Sequence, residues 1–132
     1  MGLIGARLTR IEPGLVEIAV PYRKDLSQQH GFFHAGVTGT IADSAGGYAA
    51  YTLFPEDSSV LTTEYKINLL APADGRMLRA LGRVVRSGRT LSVCEVDVFV
   101  ERDDGTERLC ARMLQTLITL HGRADDRTGR AG

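Results

Sequence analysis

One stretch of this chain, Gly36 to Leu53, has helical spacing, and it is built largely from small residues. Val37, Ile41, Ala45, Tyr48 and Ala49 recur at helical intervals, and Pro55 closes the run. Gly39, Gly46 and Gly47 lie inside it, and each costs about 1 kcal/mol relative to alanine in a helix interior. Ala42, Ser44, Ala45, Ala49 and Ala50 add little volume. A helix with so little bulk, roughly 25 Å long at 1.5 Å per residue, is one that other backbone approaches closely. A strongly curved sheet wrapped around it would supply that contact.

The remaining pattern supplies such a sheet. Ala6 to Val20 reads as a hairpin, with Leu8 and Ile11 before a Glu12-Pro13-Gly14 turn and Leu15, Val16, Ile18 and Val20 after it. Pro21 to Phe33 has no sustained period and reads as a polar loop. Beyond the helix the period changes to two, predicting strands at Ser59–Leu70, Met77–Ser87, Thr90–Glu101 and Glu107–Leu120. Turn signals at Pro72–Gly75, Ser87–Arg89 and Asp103–Gly105 separate them, so a long antiparallel meander is expected. One helix against that sheet is an α+β arrangement. With 132 residues the chain is one domain's worth, expected over 1–120, and the polar 121–132 segment is expected to be a disordered tail.

Sixteen basic side chains balance sixteen acidic ones. No basic stretch supplies the field that nucleic-acid binding needs, so an anionic ligand must be met locally. Cys94 and Cys110 sit in alternating apolar segments without CxxC spacing and read as buried thiols of a reducing compartment. No run approaches the roughly 20 apolar residues that span a bilayer. A cytoplasmic protein without membrane partners is expected.

Asp43 is the first candidate for chemistry, because a carboxylate among small apolar residues on a buried helix needs partners or a functional reason. The competing reading makes it the N-cap of a shorter helix starting at Ser44. His34 stands where the polar loop meets the helix. First-turn N–H groups there lack intrahelical partners and carry the positive end of the dipole, so the N–H of Ala35 or Gly36 can hold an oxyanion. Gln28 offers an amide to orient a carbonyl or a water. His30 and His34 lie four apart, but on a loop that spacing carries little weight as a metal motif, and no metal site is expected.

His34-Ala35-Gly36, Asp43-Ser44-Ala45, Ala49-Ala50, the later Leu69-Leu70-Ala71-Pro72-Ala73 and Val85-Arg86-Ser87-Gly88-Arg89-Thr90 together resemble the hotdog-fold thioesterases of the PaaI-like branch. The similarity runs from about Gly14 to Leu120. It implies a long antiparallel sheet around one central helix and hydrolysis of an acyl-CoA to an acid and free CoA. Asp43 would be nucleophile or general base, Gln28 the family's Asn/Gln, His34 a fixer of loop geometry, and Ala35, where glycine is usual, the N–H donor to the thioester oxygen. Thr62, or Thr63 if the register slips by one, falls near the hydroxyl found beside the carboxylate. Relatives are homodimers or dimers of dimers, so Gln28, His34 and Ala35 of one subunit would face Asp43 of the other. No cofactor is implied apart from coenzyme A as part of the substrate.

Arg83, Arg86 and Arg89 cluster at the Ser87-Gly88 turn and are candidates for the CoA phosphates, with solvated surface arginines as the alternative. Phe32, Phe33, Tyr48 and Tyr51 either line an acyl pocket or belong to the core. Two other functions fit the same scaffold: an enoyl-thioester hydratase or dehydratase, and a non-catalytic acyl-thioester binding module.

Overall fold

Alternation in the second half of the chain becomes a sheet buried on one face and wet on the other. The computed structural model describes residues 2–122; beyond Gly122 the expected tail lies outside the described residues. Six strands, β1 (Arg7–Glu12), β2 (Leu15–Pro21), β3 (Ser59–Leu69), β4 (Met77–Ser87), β5 (Leu91–Glu101) and β6 (Glu107–Leu120), form one antiparallel sheet. The helix α1 (Ala35–Tyr51) joins β2 to β3 and packs against β2, β3, β4, β5 and β6. This is the wrapped α+β arrangement that the sequence predicts, with element bounds within two residues of expectation. No helix among the described residues is long and apolar enough to cross a membrane.

The connectivity differs from the expected meander. Strand order is β1-β2-β4-β5-β6-β3, so β3 pairs with the last strand and not with β4. Pro72–Gly75 is therefore a crossing link and not a hairpin turn. It is held down by Arg108 of β6, whose Nη2 donates to the Pro72 carbonyl at 2.9 Å and to the Asp74 carboxylate. Period-two alternation fixes which face a residue occupies but leaves strand neighbours open.

The concave face carries Val16, Ile18, Val20, Leu78, Ala80, Val96, Val98, Val100, Ala111 and Met113 against Ile41, Ala42, Ala45 and Ala49 of α1. Burying each of the larger side chains contributes about 1.5–3 kcal/mol. Close approach is concentrated where β4 meets the helix: a Cβ on Gly82 would lie 2.7 Å from the Ala45 carbonyl carbon and oxygen. Of Gly39, Gly46 and Gly47, only Gly46 is crowded. Gly39 has open space beside it and Gly47 an ordinary contact with Leu117, so crowding does not account for those two.

Candidate active site

The loop before α1 is stiffened by its own hydrogen bonds. Ser27 and Phe33 form an antiparallel bridge, Gln28 N–H donates to the Phe32 carbonyl at 2.8 Å, and Gly31 N–H returns to the Gln28 carbonyl at 2.9 Å. Gly31 takes φ +82°, which glycine adopts without strain. The Gln28 side-chain carbonyl accepts from His30 N–H, leaving its amide N–H groups for the cleft.

His34 is the N-cap of α1, its Nδ1 accepting from Gly36 N–H at 2.8 Å. The His34 carbonyl takes the Val37 and Thr38 N–H groups at 2.9 and 3.3 Å. Of the two donors that the sequence offers for an oxyanion, Gly36 is thus spent inside the cap. Ala35 N–H has no acceptor among the described residues, and it points from the positive end of a 17-residue helix. Gln28, His34 and Ala35 line one cleft of about 540 Å³ with Phe32, Leu70 and Cys110.

Asp43 lies well inside α1, not at its start, which removes the N-cap reading. Its Oδ1 accepts from Thr62 Oγ1 at 2.8 Å and from Gln115 Nε2 at 2.6 Å, whereas Oδ2 has no partner among the described residues. Asp43 is half-buried and lines a second cleft of about 460 Å³ with Gly47, Tyr48, Tyr51, Leu61 and Thr62. Of the two threonines, Thr62 is the one whose hydroxyl meets the carboxylate; Thr63 is exposed, sits at the irregularity between Thr62 and Glu64, and donates to the Thr116 carbonyl at 3.2 Å.

The cation cluster divides. Arg83 pairs with Glu95 at 2.6 Å and Asp97 at 3.7 Å, while Arg86 and Arg89 are exposed and have no ion pair among the described residues. The aromatics divide as well, since Phe33 is buried edge-on to Tyr22, Phe32 edges the first cleft, and Tyr48 and Tyr51 edge the second. Both cysteines are buried and unpaired. No cluster of three or more His, Cys, Asp or Glu side chains suited to a metal occurs among the described residues.

Sequence reasoning missed Gln115. It is fully buried on β6, and its signal was a polar residue at an inward position between Met113 and Leu117.

Comparison with known proteins identifies the family. The family model described as "Thioesterase superfamily" matches residues 30–107. A crystal structure of a thioesterase family protein from Silicibacter pomeroyi superposes with TM-score 0.90 at 47% identity, covering 92% of this chain and 89% of that one. The proofreading thioesterase EntH of Klebsiella pneumoniae is 27% identical over 87% of this chain and 82% of its own length. A Bacillus halodurans protein, BH2602, crystallised with CoA, is similar at 27% identity and TM-score 0.71 over 79% of this chain and 66% of that one. With a family match over more than half its length and a helix-borne carboxylate in the expected wrapped sheet, the chain belongs to the thioesterase superfamily and is a thioester hydrolase.

Proposed function

We propose that the protein hydrolyses acyl-CoA thioesters at a site completed by two copies of the chain. One observation carries this reading: the Ala35 N–H and the Asp43 Oδ2, each without a partner among the described residues, stand at opposite halves of one protomer. Asp43 stands eight positions along the helix from Ala35, about 12 Å at 1.5 Å per residue, too far to act on one carbonyl. Their clefts also take opposite ends of β3, with Val60, Leu61 and Thr62 on the carboxylate side and Leu69, with Leu70 just past the strand, on the Ala35 side.

The outer edge of β3, unpaired among the described residues, supports the way the halves are joined. Leu61, Tyr65 and Leu69 are more than half exposed on this outermost strand, and an unpaired apolar edge is a template for another strand. Antiparallel pairing about a two-fold axis near Glu64 and Tyr65 sets Leu61 of one copy beside Leu69 of the next. That brings the Asp43 cleft of each protomer against the Ala35 cleft of the other.

In such a site the thioester carbonyl oxygen accepts from Ala35 N–H, with the Gln28 amide beside it. Asp43 Oδ2 attacks the carbonyl carbon or takes a proton from a water that does so. Negative charge builds on the oxygen held at the helix N-terminus. The tetrahedral intermediate collapses with cleavage of the C–S bond, and the thiolate leaves without a strong general acid. In the attack route, water then hydrolyses the acyl-aspartate. Arg86 and Arg89 are free to meet phosphates of the carrier.

The test is a panel of aryl, medium-chain and hydroxylated acyl-CoAs read by thiol release. Release from at least one class is expected. Release from none would overturn hydrolysis of acyl-CoA, and tight binding without release would leave an acyl-thioester binding module.

A further inference from the structure

We propose that Gln115 is a positioning residue for the reaction, one that aims Asp43 from inside the core, and that Gly46 is glycine in order to house it. The inference rests on Asp43 being the activating group. Gln115 Nε2 lies 2.6 Å from Asp43 Oδ1, 3.1 Å from the Asp43 carbonyl and 3.1 Å from Thr62 Oγ1. A carboxylate and a backbone carbonyl only accept, so the amide must present its nitrogen to them. Its orientation is thereby forced, and Oε1 is turned toward the helix axis at Gly46.

That arrangement leaves two marks. A Cβ on residue 46 would stand 1.8 Å from Gln115 Oε1, so any side chain there displaces the amide. Oε1 itself is buried without a donor among the described residues. A core chosen for stability alone would place Leu or Met at 115, in line with Met113 and Leu117, and would strand no carbonyl. What the glutamine gains is its bonds to Asp43 and Thr62.

With Thr62 and Gln115 both donating to Oδ1, the carboxylate cannot rotate freely about its terminal bond. Oδ2, the oxygen without a partner, is held toward the cleft. Placement of an attacking atom to within an ångström separates productive from unproductive complexes by about a hundredfold. Gln115 is not itself a lining residue of the cleft; it acts from behind, through its bonds to Asp43 and Thr62.

The experiment compares Gln115→Met, which keeps length and apolar volume, in wild-type and Asp43→Asn backgrounds, with steady-state kinetics on an acyl-CoA that the wild type turns over. In the wild-type background kcat should fall about 10- to 100-fold with KM within about twofold and the thermal midpoint unchanged or raised. In the Asp43→Asn background the same substitution should change the residual rate by less than twofold. A Gln115→Met enzyme that is folded and within twofold of wild-type kcat overturns the proposal, as does an equal loss in both backgrounds, which marks a structural role. Gly46→Ala, if folded, should reproduce the kcat loss. Full activity of Asp43→Asn would overturn the role of Asp43 itself, a separate failure.

Discussion

Gly82→Ala tests whether the helix is held in place by direct contact with the backbone of β4. Gly82 lies on the concave face, paired with Val16 and Val96. The added methyl carbon would sit 2.7 Å from the Ala45 carbonyl carbon and oxygen and 2.8 Å from the Gly46 nitrogen. Atoms of this kind pack at about 3.5–4.0 Å, so strand and helix must part by about 1 Å. Both obstructing partners are backbone within a hydrogen-bonded helix, so no side-chain tip can swing aside. Overpacking costs about 1–3 kcal/mol, and a backbone clash belongs at the upper end. For a chain of this length that lowers the thermal midpoint by about 10 °C. Asp43 lies on the same turn as Ala45, so a retreat of about 1 Å also stretches the 2.6 and 2.8 Å bonds that hold Oδ1. Turnover should then fall by up to about a hundredfold. Thermal unfolding, with thiol-release kinetics well below the midpoint, measures both. A midpoint within about 2 °C of wild type together with kcat within twofold would refute the reasoning.

Asp43→Asn keeps an oxygen for Thr62 and Gln115 but removes the charged, basic oxygen from the cleft; kcat should drop at least 10²- to 10⁴-fold, roughly what general-base catalysis supplies, with fold and oligomeric state intact by circular dichroism and light scattering. Gln28→Ala should lose less in the same assay, because the Ala35 N–H remains. Tyr65→Glu places a second carboxylate beside Glu64 on the β3 edge; if two copies pair there, light scattering should show a 14.3 kDa species and activity should vanish with the dimer. Burial pushes the Cys94 and Cys110 thiols up to about 11, so at pH 8 about one in a thousand is thiolate. A thiol reagent should register neither until the protein unfolds. Because the folded values lie above the unfolded value of about 8.5, stability from this source is complete below that pH and is lost as pH rises toward 11; urea midpoints measured from pH 8 to 11 should fall across this interval.

Much of the fold was legible because each element announced itself locally. The helix carried its spacing, the strands their alternation, and Gly14 and Gly105, at φ +77° and +85°, their turns. The neighbour of β3 was not legible, since a strand's own residues say which face is apolar and nothing about which edge it joins. Within the candidate site, Asp43 stood out as a charge in an apolar helix, and His34 as a residue at a helix start. Gln115 did not stand out, because a lone glutamine in a strand is ordinary until its position is known to be inward. Gly46 was conspicuous, but its reason lay 69 positions away in sequence, counting from 46 to 115. The choice between Ala35 and Gly36 as the free donor depended on which N–H the His34 ring takes, and sequence does not encode a rotamer.

The pairing of β3 with β6 also bears on how the protein comes into being. Thr62 reaches its place only when the strand that carries it docks on the last strand made, and Gln115, 72 residues beyond Asp43, arrives on that same last strand. Contacts this distant in sequence form late and slowly. On the ribosome the helix can be complete while its carboxylate still lacks both hydrogen-bond donors. Refolding should therefore recover helical signal before it recovers turnover, and the slowest phase should be the one that arms the site.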